Sequence, residues 1–91
     1  MVDENPETHF DYYRRAKSLE QQGKYDEALA NYAAALEINE DYAHAWFYKS
    51  KLHFQQGHYT DCVECAERAL ELQPEWSDHI TKMLNDAKSN L

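Results

Sequence analysis

The sequence predicts an all-α fold of five helices, and three observations lead to this prediction. The 91 residues include only two glycines and two prolines, whereas an all-β fold needs turn residues about every 8–12 positions. Apolar residues recur at helical spacing, as in Ala28, Leu29, Tyr32, Ala35 and Leu36. The chain also repeats itself with a period of 34 residues, a length typical of stacked helix pairs.

The repeat becomes visible when residues 9–42 are aligned with residues 43–76. Eight positions are identical in the two units, and Gly23 falls on Gly57. Small residues recur at the points where two closely spaced helices must touch, while large residues surround them. In unit one the small residues are Ala16, Ala28 and Ala35, and in unit two they are Ser50, Cys62 and Ala69. Each unit is therefore predicted to be one tightly packed helix pair.

In unit one, the first helix is predicted from Pro6 to Gln22, with Asn5 as its N-cap and Pro6 in the first helical position. Gly23 ends this helix, because glycine accepts the left-handed conformation that follows a helix. The second helix is predicted over residues 26–38.

Unit two is predicted to contain helices over residues 43–56 and 60–72, the latter opened by Tyr59 or Thr60 and stopped by Pro74. A fifth helix is predicted over residues 75–88. It carries one apolar stripe, as the terminal helix of a stack requires.

Charge and hydropathy exclude several classes of function. Seventeen acidic residues against nine basic ones give a net charge of −8, which disfavours nucleic acid and anionic membranes as partners. The longest apolar run, residues 32–36, is far shorter than the roughly 20 residues of a membrane span. The first residues lack a signal-peptide pattern. We therefore expect a cytoplasmic protein, or a piece of a larger one.

The residues that carry chemistry give no pattern typical of an enzyme. None of the five histidines has a serine or cysteine at a recognisable catalytic spacing, and the two glycines cannot form a phosphate loop. Cys62 and Cys65 have C-x-x-C spacing, but they fall within a helical pattern, and His58 is the only further candidate ligand beside them. Packing is favoured for both cysteines. The sequence thus predicts no catalytic, cofactor or metal site.

The 34-residue helix pair resembles the tetratricopeptide repeat. The residues that carry the resemblance are Tyr12, Ala16, Gly23, Tyr25, Ala28, Tyr32, Ala35 and Leu36, then Trp46, Ser50, Gly57, Tyr59, Cys62, Ala69, Leu70 and Pro74. The resemblance implies a right-handed superhelical stack of antiparallel helix pairs. It divides a single domain, 1–91, into repeat 1 (9–42), repeat 2 (43–76) and a C-terminal solvating helix (77–91).

The same resemblance implies a protein-interaction scaffold whose first helices line a concave groove. The groove positions are Phe10, Tyr13, Arg14, Lys17, Gln21, His44, Phe47, Tyr48, Lys51, Phe54 and Gln55, with Lys82 and Asn85 from the last helix. Seven of the nine basic residues fall on the first helices and the last helix. We therefore expect a protein or peptide partner, acidic and with apolar anchors.

Several alternatives stay open at this stage. The groove positions can instead be a solvated face, and the chain can be a spacer or a weak homo-oligomer with Tyr42 and Trp76 as contacts. The acidic start of the chain can occupy the groove itself. Some members of the family clamp acidic chaperone tails, but the matching positions are Tyr13, Lys17, Tyr48, Asp78 and Lys82, of which only Lys82 keeps the required residue type at its own place. This clamp is therefore disfavoured.

Overall fold

The computed structural model describes residues 7–91, and every regular element in this part of the chain is helical. The five α-helices are α1 (His9–Gln21), α2 (Tyr25–Ile38), α3 (Ala43–Gln55), α4 (Tyr59–Leu72) and α5 (Ser77–Ser89). A short 3-10 helix, Pro74–Trp76, precedes α5. The all-α, five-helix prediction is confirmed. No helix among the described residues has the length and apolar character needed to cross a bilayer.

The start of α1 differs from the prediction. The N-cap is Thr8, whose hydroxyl accepts a hydrogen bond from the Asp11 amide, while the Asp11 carboxylate accepts one from the Thr8 amide. This reciprocal pair is a capping box, which satisfies two amides that the first turn leaves free. The bond from the Thr8 amide lowers the pKa of Asp11. The predicted cap Asn5 and Pro6 lie outside the described residues.

The two glycine turns are near copies of each other. Gly23 and Gly57 have φ of +79° and +78°. The Lys24 amide donates to the Leu19 carbonyl at 2.9 Å, and the His58 amide donates to the His53 carbonyl at 2.8 Å. These bonds close a Schellman motif, which ends one helix and starts the next within three residues. Such short turns place the helices of each pair side by side.

Small residues lie at the contact points of each helix pair, as predicted. Ala16, Ala28 and Ala35 in unit one, and Ser50, Cys62 and Ala69 in unit two, are fully buried. Tyr32 and Leu52 are the largest fully buried side chains. Because small residues let the backbones approach closely, the large side chains fill the space beside each contact rather than between the helices.

The helices pack in chain order, each mainly against the next. One apolar cluster joins α1, α2 and α3, and a second joins α4 to α5. Trp46 of α3 packs against both clusters and so connects the two halves. Tyr42 and Trp76, the proposed self-association contacts, each lie within 6 Å of aromatic neighbours of this chain.

The last helix begins two residues later than predicted. Pro74 lacks an amide hydrogen, and the segment to Trp76 turns as a 3-10 helix before α5 starts at Ser77. Ile80 and Ala87 of α5 are fully buried, whereas Asp78, Thr81 and Asn85 on the other side of the helix are exposed. The resulting molecule is elongated, at 53 × 27 × 17 Å.

Candidate functional site

Aromatic rings from α1 and α3 meet on one side of the stack. The Tyr13 ring lies 6.0 Å from the Tyr48 ring and 6.3 Å from His44, and Phe47 lies 5.2 Å from Tyr48. The positions 44, 47 and 48 share one face of α3 because helical residues three and four apart are neighbours. We call this surface the aromatic face: Tyr13, Lys17, His44, Phe47, Tyr48 and Lys51.

Two lysines flank Tyr48 on the aromatic face. The Lys17 Nζ lies 3.4 Å from the centroid of the Tyr48 ring, and the Lys51 Nζ lies 5.4 Å from the same centroid. An ammonium held over an aromatic ring is stabilised by the ring quadrupole and still exposes donors to solvent. Within residues 7–91, neither lysine forms an ion pair with a carboxylate. Both cations are therefore available to an external anion.

A groove runs between α3 and α5 beside this face. It consists of two adjoining depressions of about 360 and 420 Å³, which share Phe47, Lys51 and His79 as lining residues. The first is completed by His44, Tyr48 and Trp76, and the second by Phe54, Gln55, Lys82, Met83 and Asp86. The lining thus combines aromatic rings with cationic side chains, and it comes mainly from α3 and α5.

Burial changes the acidity of the deepest phenol on this face. Burial, together with the neighbouring Tyr48, raises the pKa of Tyr13 to about 12. The Tyr13 ring also contacts Tyr42 edge-on at 5.2 Å and lies 6.2 Å from Tyr32. Tyr13 is therefore a neutral and closely packed wall of the site at ordinary pH.

Comparison with known proteins identifies the architecture. The family model described as tetratricopeptide repeat matches residues 13–75, well over half of the chain. The protein belongs to the tetratricopeptide repeat family. Tetratricopeptide repeats are protein-interaction modules. The aromatic face lies on α1 and α3, the first helices of the two repeats.

A curated relative supports the same assignment. The chain is 32% identical over 77 residues to the photosystem I assembly protein Ycf3 of Cyanophora paradoxa. The match covers 81% of this chain and 44% of the relative. The chain thus spans less than half the length of the curated relative that it matches.

The structure brings most of the predicted groove residues together. Seven of them line the two depressions: His44, Phe47, Tyr48, Lys51, Phe54, Gln55 and Lys82. Tyr13 and Lys17 line neither depression but lie beside Tyr48 on the aromatic face. Phe10 and Arg14 form a separate pair at the start of α1, with the guanidinium carbon 5.6 Å from the ring centroid. Gln21 and Asn85 are exposed and line neither depression.

Four lining residues were not assigned to the groove from the sequence: Trp76, His79, Met83 and Asp86. Trp76 lies 4.9 Å from His44 and 5.9 Å from Phe47, ring to ring. The helical spacing of His79, Met83 and Asp86 was the signal that could have grouped them.

Fewer cations lie at the aromatic face and the groove than the seven that the sequence placed on these helices. Arg15 pairs with Glu7, Lys88 pairs with Glu67 of α4, and the Lys49 Nζ lies 5.6 Å from the Trp46 ring. These three cations lie away from the two depressions. The aromatic face keeps Lys17 and Lys51, and Lys82 at the groove edge pairs with Asp86 at 3.0 Å.

The structure bears on two further hypotheses, which are occupation of the groove by the acidic start of the chain and the clamp for acidic chaperone tails. The acidic residues Glu7 and Asp11 are engaged at the start of α1, with Arg15 and with Thr8, and Asp3 and Glu4 lie outside the described residues. Two of the chaperone-clamp positions on α1 and α3 hold Tyr13 and Tyr48, whose rings lie 6.0 Å apart and form a wall. Tyrosine is not the residue type that the clamp requires at either position.

The cysteines are packing residues in this structure. Cys62 and Cys65 are free thiols buried within α4. Burial raises the pKa of the Cys62 thiol, and it raises the pKa of Cys65 to about 11. A reactive thiol needs the opposite shift.

Proposed function

We propose that this protein binds an extended acidic segment of a partner protein, with the segment lying along the aromatic face and in the groove between α3 and α5. The observation that carries the proposal is the pair of lysines beside Tyr48. Lys17 and Lys51 come from different helices, flank one ring and lack an acidic partner within residues 7–91.

The charge of the partner follows from these cations. A carboxylate placed near Tyr48 can accept a hydrogen bond from either ammonium group, and bonds between charged partners are about twice as strong as neutral ones. The protein carries a net charge of −8, so its overall charge repels an acidic partner, whereas the two lysines attract one locally. Electrostatic complementarity of this kind fixes the register and orientation of a bound segment.

The apolar anchors of the partner follow from the groove. Phe47 and Trp76 form an aromatic corner on one side of the first depression, and Met83 lies in the second. An aliphatic or aromatic side chain a few residues from the carboxylate fills such a corner. Buried aromatic contacts dominate the free energy of many interfaces.

The relative's name supports a partner that is itself a polypeptide. It describes an assembly protein, and assembly requires that polypeptides be held. We carry over only this binding of protein partners, because the chain spans 44% of that relative.

Titration of amide chemical shifts with short acidic peptides, both free and amide-capped at the C-terminus, tests the proposal. We expect shifts centred on Lys17, Tyr48 and Lys51, with the capped peptides reporting whether a terminal carboxylate is required. Lys51→Gln should weaken binding about tenfold, the effect of losing about 1.4 kcal/mol. Phe47→Leu should weaken binding of peptides with apolar anchors while it preserves most of the core contact.

Lys24→Gln is the matched control, because it removes the same charge from an exposed position in the α1–α2 turn. Equal weakening by Lys24→Gln and Lys51→Gln would mean general charge attraction and would refute a specific site. Shifts that leave the aromatic face unchanged, with lines that broaden as protein concentration rises, would favour homo-oligomerisation instead.

A further inference from the structure

Two histidines and an aspartate form a compact cluster at the α3–α4 turn, on residues that the groove does not use. The Nδ1 atoms of His53 and His58 lie 3.2 Å apart. One ring nitrogen of each histidine and a carboxylate oxygen of Asp61 all lie within 4.8 Å of one another. His53 is 9% exposed, whereas His58 and Asp61 are exposed. The cluster is therefore anchored on one side and open to solvent on the other.

The internal repeat shows that the turn does not need these histidines. The positions of unit one that match His53 and His58 are Leu19 and Lys24, and they close the same turn with the same hydrogen bond. Unit one thus makes the turn with an apolar residue packed against the core. Burying an imidazole where a leucine serves costs free energy, so the fold alone does not explain His53.

The spacing of the two nitrogens suits a metal ion. With Zn–N distances of about 2.0–2.1 Å, two ligands of a tetrahedral zinc ion lie roughly 3.3 Å apart, close to the 3.2 Å observed. The Asp61 carboxylate is exposed, so a side-chain rotation can bring an oxygen to the third position. Imidazole nitrogen with one carboxylate is a donor set that suits zinc and neighbouring divalent transition metals.

The charges around the cluster are mixed. Asp61 favours a cation, whereas Lys49, on the neighbouring turn of α3, opposes one. A metal ion binds histidine through the neutral form of the imidazole ring. Lys49 makes no ion pair among the described residues and is free to turn outward.

We propose that His53, His58 and Asp61 form a binding site for a divalent first-row transition-metal ion of the zinc type. Both histidines bind through Nδ1, Asp61 supplies one oxygen, and water completes the coordination. A cation here ties the end of α3 to the first turn of α4 and so clamps unit two. The site is separate from the groove.

Calorimetric titration with zinc chloride, paired with visible absorption of the cobalt(II) complex, tests the proposal. We expect one ion per chain, the absorption bands of a four-coordinate cobalt ion and a higher melting temperature with zinc. Asp61→Asn should weaken zinc binding at least about tenfold, because even the outer partners of metal ligands contribute about 10- to 100-fold.

The repeat supplies a variant that is expected to fold. His53→Leu with His58→Lys copies the unit-one turn, so helicity should be retained while zinc binding is lost. His44→Gln with His79→Gln removes two histidines from the groove and should leave zinc binding unchanged. No bound zinc in the wild-type protein would overturn the proposal, as would undiminished affinity in the His53→Leu, His58→Lys variant. If the wild-type protein bound no zinc, the 3.2 Å contact between His53 and His58 would be a hydrogen bond only.

Discussion

Tyr32 connects the core to the aromatic face. Its ring is fully buried in α2, and its hydroxyl donates a hydrogen bond to the Glu20 carboxylate at 2.7 Å. The ring also lies 6.2 Å from the Tyr13 ring, so the buried Tyr32 packs behind Tyr13 of the aromatic face. Burial, the bond to Glu20 and the Glu20 charge raise the pKa of Tyr32. The phenol is therefore held neutral in the folded protein.

Tyr32→Phe should lower the free energy of unfolding by about 1–3 kcal/mol, since it removes a hydrogen bond to a charged group. Urea denaturation at neutral pH measures the change. Tyr25→Phe is the control, because Tyr25 is 41% exposed, and it should change stability by less than about 0.5 kcal/mol. A loss in Tyr32→Phe no larger than in the control would show that the Glu20 bond contributes nothing.

Alkaline pH should destabilise the protein through Tyr13 and Tyr32. Tyrosine in an unfolded chain titrates near pH 10, whereas the pKa of folded Tyr13 is about 12. The stabilisation from these neutral phenols is complete below pH 10 and is lost as pH rises through the folded values. Denaturation at about pH 8 and about pH 11 should show a smaller loss in Tyr32→Phe than in wild type. Parallel losses would contradict this assignment.

The helix ends depend on two different devices. Only α1 among the five α-helices has a side-chain cap, the Thr8–Asp11 box. The helices α2 and α4 begin directly after the glycine turns, whose backbone bonds end the preceding helix and orient the next. The geometry of each pair therefore rests on one left-handed residue.

Gly57→Ala should lower the free energy of unfolding by about 1–2 kcal/mol, the cost of a left-handed conformation for a residue with a Cβ. No atom lies within 4 Å of an added Cβ at Gly57 or Gly23, so steric collision adds nothing. Gly23→Ala is the repeat-matched comparison and should cost about the same. Gly57→Asn should cost less, because asparagine tolerates this conformation. If Gly57→Ala lowered the free energy of unfolding by more than about 4 kcal/mol, which is outside the usual range, the left-handed conformation would not be a sufficient explanation.

At the scale of the whole molecule, the fold is a short row of helices with two apolar clusters. Each helix packs mainly against its chain neighbours, and Trp46 belongs to the surroundings of both clusters. Stability in such a row is the sum of local and nearest-neighbour contributions. Helix α5 therefore stabilises the row of helices, because it covers the apolar side of α4.

Ile80→Ala should lower the free energy of unfolding by about 2–5 kcal/mol, since the side chain is fully buried between α4 and α5. Ile38→Ala is the control at a residue 52% exposed, and its effect should stay below about 0.5 kcal/mol. Amide hydrogen exchange should show the largest loss of protection in α5 and α4. Equal loss in α1 and α2 would mean that the row unfolds only as one unit.

The candidate site was predictable residue by residue but not as an arrangement. Tyr13, Lys17, Phe47 and Lys51 follow from the repeat, because equivalent positions of two helix pairs lie on the same side of the stack. The cation–ring contact of Lys17 with Tyr48 joins two helices that are adjacent only in the folded chain. Which cations have a carboxylate partner among the described residues also depends on the folded structure, since Lys88 of α5 pairs with Glu67 of α4.

The sequence by itself determined the helix pairs, their period, the glycine turns and the small contact residues. These are local properties, set by hydrogen bonds within a few residues and by side-chain volume. Each of them occurs in both repeats of the sequence. Only the tertiary structure decided the rotation of α5, which brings Trp76 and His79 into the groove, and the meeting of His53 with His58. Both depend on how one helix turns against another, which is set by packing across the chain and not by the spacing of residues along it.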